Sequence, residues 1–278
     1  MGVLVTIEVF LIILALAFVI EMVNASLGMG WGTIFTPILI LIGFPAVVAV
    51  PAVLLSQGLG SIAASVFHTK FENASFESGS IELKTAAIIG SFGVIASLLA
   101  ALLAVNISKT VLNTYIGILV LLMGVVILMN KQFKFSWKKI IGISLLSAFN
   151  KGISGGGFGP VVTGGQIMAG QEQKKAIAIT LFSEIPICLV GFFTYLVARA
   201  VKEVPGSVFD QQAGSFVTSM FSEKIFAWEL CLALVAGAFI AAPFGALATK
   251  VLRSNIVRKA VGVLIVVLGA WTLIKTYA

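Results

Sequence analysis

The chain is 278 residues long, 59% hydrophobic and only 10% charged, with a mean hydropathy of +1.13. A soluble domain of this size carries roughly 25% charged residues, so the composition excludes that class and indicates a multi-pass membrane protein. The net charge of +7 gives no reason to expect a nucleic-acid partner, because the basic residues are scattered through short loops between apolar runs.

The first apolar run, Val3–Val23, has no basic residue ahead of it and reads as a span, not a cleaved leader. It ends in Asn24-Ala25-Ser26-Leu27-Gly28-Met29-Gly30-Trp31-Gly32, and a short run, Thr33–Ile42, follows. Three longer runs complete the first half: Ala46–Phe67, Leu83–Val105 and Thr110–Met129. The second half opens with Trp137–Phe149, breaks at Asn150-Lys151-Gly152-Ile153-Ser154-Gly155-Gly156-Gly157-Phe158-Gly159-Pro160 and resumes with the short run Val161–Ala169. Ala176–Ala198, Ile225–Ala248 and Ile256–Thr276 close the chain. A span needs about 20 residues, so these ten segments predict about eight long spans and two half-length returns. Between them, the loop Arg199–Lys224, with Pro205-Gly206 and Asp210, reads as irregular or partly helical.

The glycine clusters cannot continue stable helices. In lipid such a break survives only where protein or a cavity surrounds its backbone. The two clusters align at one constant offset: Gly28, Gly30 and Gly32 fall on Gly155, Gly157 and Gly159. Trp31 falls on Phe158, Thr36 on Thr163, Ala49 on Ala176 and Ser56 on Ser183. The joint match indicates an internal repeat, residues 1–130 and 131–278.

Loop charge orients the repeats. If each break is the tip of a hairpin that returns to its own side, each half makes five passes and the halves are inverted. One side then collects twelve Lys/Arg, from Lys70 and Lys84 to Arg258 and Lys259, and the other keeps Lys109, Arg199, Lys202, Lys224 and Lys275. That asymmetry, under the positive-inside rule, places Phe133–Trp137 and Lys250–Lys259 in the cytoplasm and both termini outside. The fold expected is an all-α polytopic bundle of two inverted repeats, each a glycine-broken hairpin plus three transmembrane helices.

Paired breaks in corresponding places of two halves point to a transporter's binding site. A half-helix starting at a break aims its positive end and free N–H groups there, which suits an anion. Close helix packing is the plainer role of such glycines, though it accounts poorly for four of them in five residues at 155–159. Candidate substrate contacts are therefore Asn24, Ser26, Gly28, Gly30, Trp31 and Gly32 in the first break. In the second they are Asn150, Lys151, Ser154, Gly155, Gly156, Gly157 and Gly159. A charge at the bilayer centre costs about 2.5–3.5 kcal/mol on insertion scales, so Lys151 is either a counter-charge for an anion or a lysine snorkelling to the interface. Glu184 sits inside its span with Gln57 as repeat partner, and is a candidate proton carrier or gate, with Glu21 a weaker one. The structural alternative for Glu184 is a carboxyl paired with Lys151 or permanently protonated.

His68 follows a span and reads as an interface residue, as do Glu8 and Glu229 near span ends. A single histidine makes no zinc site, and no acidic cluster suggests a metal or a cofactor. Cys188 and Cys231 read as small apolar side chains. No histidine lies within a span to serve a serine nucleophile, so an intramembrane enzyme is not expected.

Asn24–Pro37 (NASLGMGWGTIFTP) and Lys151–Gly170 (KGISGGGFGPVVTGGQIMAG) resemble the two glycine-rich signatures of the TauE/SafE sulfite exporter family. The first interleaves Met29 and Trp31 where the family runs adjacent glycines. The resemblance covers nearly the whole chain and implies an anion permease of the cell inner (plasma) membrane, often an exporter, for sulfite, sulfonates or related anions. A small anionic substrate, the lipid bilayer and coupled protons are the partners expected. A passive anion channel and a non-transporting assembly factor are the alternatives.

Overall fold

The computed structural model describes residues 6–129, 137–203, 213–222, 225–250 and 254–278. These residues form eleven helices and no strand. In order they are α1 (Ile7–Leu27), α2 (Trp31–Leu41), α3 (Ala46–Lys70), α4 (Ile81–Asn106), α5 (Lys109–Met129), α6 (Trp137–Ser154), α7 (Gly159–Met168), α8 (Gln173–Glu203), α9 (Ala213–Met220), α10 (Trp228–Ala248) and α11 (Ser254–Tyr277). Ten of them fall on the ten apolar runs, and α9 lies in the loop between α8 and α10. Among the described residues, seven helices are long and apolar enough to cross a membrane. Exposed Leu11, Val19, Ile95, Leu122, Phe244 and Val263 give the bundle an apolar girdle, as a lipid environment requires.

The packing repeats itself between the halves. Helix α1 packs along α10 as α6 packs along α4, and α3 packs along α10 as α8 packs along α4. Helix α3 against α8, and α5 against α11, join the halves at the centre. Gly117 and Gly124 of α5 face Leu273 and Val266 of α11, while Gly262 and Gly269 face Leu128 and Leu121, so the pair runs antiparallel on small residues. A Cβ on Gly124 would lie 2.7 Å from the Val266 backbone nitrogen, so a larger residue there would part the helices.

Side-chain ties show which helix ends lie together. At one end of the bundle Lys275 donates to Leu41 O at 2.5 Å, Arg199 donates to Ile225 O at 2.7 Å and to Val47 O at 3.4 Å, and Lys202 donates to Val105 O at 3.0 Å. At the other, Lys175 pairs with Glu82 at 2.6 Å and Asn73 donates to Ala246 O at 2.9 Å. Lys109, Arg199, Lys202 and Lys275 thus share one end. Lys70, Lys84, Lys174, Lys175 and Lys250 share the other. Lys131, Lys134, Lys224, Arg253, Asp210 and Pro205-Gly206 lie outside the described residues.

His68 is corrected by the fold. It is fully buried, with Nε2 2.9 Å from Ala25 O and Nδ1 3.1 Å from Asn73 Nδ2, so it joins the ends of α1 and α3 instead of meeting the interface. Glu8 and Glu229 are exposed, and Cys188 and Cys231 are buried free thiols among apolar neighbours.

Candidate functional site

Each break is narrower than the glycine clusters suggest. Helix α1 runs through Asn24 and Ser26 and stops at Gly28, whose φ of 69° is a left-handed cap that glycine adopts without steric cost. Gly30, at φ 122°, then turns the chain into α2, so Trp31 opens that helix instead of lying in the break. Helix α6 likewise carries Asn150, Lys151 and Ser154 and stops at Gly155, at φ 73°. Ser154 Oγ accepts from Gly156 N at 3.1 Å, which supplies a partner for one exposed amide of the break. Helix α7 begins at Gly159-Pro160, where the missing proline N–H leaves no bond unmade.

The two breaks lie against each other. A Cβ on Gly32 would sit 1.6 Å from Gly155 O, and one on Gly159 would sit 2.2 Å from Gly28 O. These contacts correspond under the offset that aligns the two glycine clusters: the end of each long broken helix meets the start of the other half's short helix. Thr36 beside Gly155 and Thr163 beside Gly28 extend the pairing. Close packing therefore accounts for Gly28, Gly32, Gly155, Gly156 and Gly159 directly, and the same contact brings the N-terminal turns of α2 and α7 together.

Those two turns line one small cavity of about 10 Å³. Met29, Gly30, Trp31, Gly32 and Thr33 form one wall, and Gly156, Gly157, Phe158, Gly159 and Pro160 the other. Asn24, Gln57, Lys151 and Glu184 supply its polar side chains. Trp31 and Phe158, the repeat partners, are both fully buried, and Trp31 Nε1 donates to Val53 O at 3.3 Å. The space suits about one water, so an oxyanion enters only if the tips part.

The polar floor is an ionic cluster. Lys151 and Glu184 are each 2% exposed and pair at 3.3 Å. Gln57 bridges them: it donates to Glu184 Oε2 at 2.5 Å and accepts from Lys151 Nζ. Lys151 therefore does not snorkel, because its ammonium is held inside the bundle. Next to this trio, Asn24 donates to the fully buried Glu21 at 3.1 Å, and Glu21 Oε1 has no hydrogen-bond partner. Asn24 and Lys151 correspond under the offset that aligns the glycine clusters, as do Gln57 and Glu184. Two polar positions per half thus meet at one point, neutral in the first half and charged in the second.

Other expected site residues stand back from the cavity. Ser26 donates to Val23 O at 3.0 Å and Ser154 to Asn150 O at 2.8 Å, each within its own helix. Asn150 accepts from Tyr115 Oη. Gly28 and Gly155 are taken up by the contact between breaks.

Three residues at the centre escape a sequence reading by type alone. Thr33 lines the cavity, with Oγ1 3.2 Å from Gly30 O. Thr180 holds Thr163 and Gln166 at 2.9 and 3.0 Å. Tyr195 donates to Ile153 O at 3.2 Å, near the end of α6, as His68 meets Ala25 O near the end of α1. The repeat offset maps His68 onto Tyr195 and would have drawn attention to both. Among the described residues no cluster of three or more metal-ligating side chains occurs.

With this geometry in hand, comparison with known proteins is informative. The family described as Sulfite exporter TauE/SafE matches residues 13–272. The "Probable membrane transporter protein YtnM" of Bacillus subtilis (strain 168) is 24% identical over 269 residues, covering 92% of this chain and 80% of that protein. No solved structure matches the chain.

Proposed function

The chain belongs to the TauE/SafE sulfite exporter family and is a membrane transporter, and on that premise we propose that it carries a small anion of the sulfite or organosulfonate class. The observation that supports this reading is the convergence of the α2 and α7 N-terminal turns on the cavity floored by Lys151. Helix starts present unpaired N–H groups and a positive dipole end, and together with the ammonium they favour a negative ligand.

Lys151 is already matched by Glu184, so an anion competes with that carboxylate. In the proposed cycle Glu184 takes up a proton as the anion arrives, and Gln57 swings with it or releases the lysine. Anion and proton then travel together through the site. Where Glu184 stays ionised, an inside-negative potential favours export of the anion by about 2.3 kcal/mol per charge per 100 mV. The cavity has room for about one water, so passage requires the tips to separate toward one face and then the other.

The two halves supply the moving parts. Their matched packing and their helix ends support an inverted repeat, with α1 starting at the bundle end that carries Lys275 and α6 starting at the opposite end. Rocking of one half on the other alternates access to the shared tips. The charge-poor end faces outward from the cell's plasma membrane in this reading. Labelled sulfite in proteoliposomes tests the proposal: saturable uptake, accelerated by unlabelled sulfite inside, supports a carrier. Flux that rises without saturation and shows no counterflow overturns it in favour of a passive channel.

A further inference from the structure

We propose that a second oxyanion site lies at the bundle end where α2 finishes, α5 begins and α11 finishes. A cavity of about 260 Å³ opens there, far roomier than the central one. Lys109 and Lys275 enter it from α5 and α11, joined by Thr110, Thr276 and Asn113, and none of the residues lining it is acidic. Two ammonium groups without a carboxylate among the lining residues make a concave positive surface, and low-dielectric walls concentrate such a field.

A buried amide gives the recess its specificity. Asn113 lines the cavity and is only 7% exposed, yet its Oδ1 has no hydrogen-bond partner among the described residues. A buried polar atom without a partner is destabilising. That oxygen is walled off from the recess, so the NH₂ end of the amide is the part left to reach a ligand there. Of the first amides of α5, Val111 N already donates to Ser108 Oγ at 3.3 Å and Leu112 N to Ser108 O at 3.0 Å, which leaves those of Lys109 and Thr110 beside the recess. The chemistry that fits is a compact tetrahedral group, a sulfonate, sulfate or phosphate, held between two lysines and an amide.

The recess also touches the transport machinery at a distance. Lys275 Nζ binds Leu41 O at 2.5 Å, at the last residue of α2, and the first turn of that same helix walls the central cavity. A ligand that draws Lys275 off Leu41 acts on the short helix from its far end. The site thus lies outside the central one and does not depend on its assignment.

Equilibrium binding to the full chain in non-ionic detergent tests the proposal with two probes, labelled sulfate and phosphatidylglycerol. Lys109→Gln with Lys275→Gln should weaken one probe about tenfold, the loss of one charge-assisted contact or more. Asn113→Leu, which keeps both lysines, should weaken the same probe. Loss of sulfate identifies a free anion as the ligand, and loss of phosphatidylglycerol identifies a lipid headgroup. If neither probe responds, or the lysine changes act while Asn113→Leu does not, the site is overturned in favour of diffuse surface charge. Lys151→Met combined with Glu184→Gln, which leaves no stranded buried charge, reads the central cavity in parallel, so the two readings fail separately.

Discussion

Gln57 and Glu184 occupy corresponding positions in the two halves and are hydrogen-bonded to each other at 2.5 Å, across the line where the halves meet. Lys151 joins both. In the proposed cycle, corresponding positions that touch lie where the two moving halves change their contacts. That makes this trio the place where proton, substrate and conformation can be linked.

The linkage in the proposed cycle has a definite sign. Protonating Glu184 removes the carboxylate that neutralises Lys151, so anion affinity should tighten as pH falls. Glu184→Gln holds the protonated pattern permanently while keeping a hydrogen-bonding partner for Gln57. Its transport KM should be independent of pH and equal to the wild-type value at acidic pH. A KM that still drops on acidification in the variant would assign the proton to another group, with Glu21 the nearest candidate.

Removing Lys151 has a cost that is separable from function. Lys151→Met leaves Glu184 buried and unpaired, which destabilises by about 3–5 kcal/mol if the carboxylate stays charged. Adding Glu184→Gln removes that charge, so the double variant should recover most of the lost thermal stability in a detergent melt. Anion binding should stay absent in both. A double variant as unstable as the single one would show that the loss comes from packing and not from stranded charge.

Much of this architecture is written in the chain's apolar runs. Ten runs became ten helices because length and hydropathy decide a span, and the glycine clusters marked both breaks. The tip-to-tip contact was not legible in the same way. Glycine at 32 or 159 signals a missing side chain, but only the fold shows that the missing volume is filled by Gly155 O or Gly28 O. The partner of Glu184 was half visible, since Lys151 stood as its structural alternative while Gln57 appeared only as its repeat equivalent. His68 was read from its neighbours along the chain, which said interface. Its burial comes from Ala25 of α1 and, through Asn73, from Ala246 of α10, both far away in sequence.

The paired ties at the helix ends predict a modest, matched effect. Tyr195→Phe leaves the ring in place and removes only the bond to Ile153 O, which should cost about 1 kcal/mol. His68→Phe removes the bonds to Ala25 O and Asn73 and should cost more, because Asn73 loses a partner as well. Melting of each variant in detergent checks the order. The reverse order would mean that Asn73 is held by Ala246 O alone.

The glycine contacts allow the sharpest comparison. Gly32→Ala places a methyl 1.6 Å from Gly155 O, and Gly159→Ala places one 2.2 Å from Gly28 O, both against backbone that cannot step aside without parting the tips. Each should abolish transport and lower the melting temperature. Gly164→Ala lies five residues further along α7, where an added Cβ meets nothing within 4 Å and helix propensity favours alanine by about 1 kcal/mol. It should leave transport intact and stability equal or slightly higher. Should Gly32→Ala and Gly159→Ala transport at wild-type rates, the two breaks do not meet as described. The tips would then have to stand further apart, and the central cavity would be open by default instead of closed by their contact.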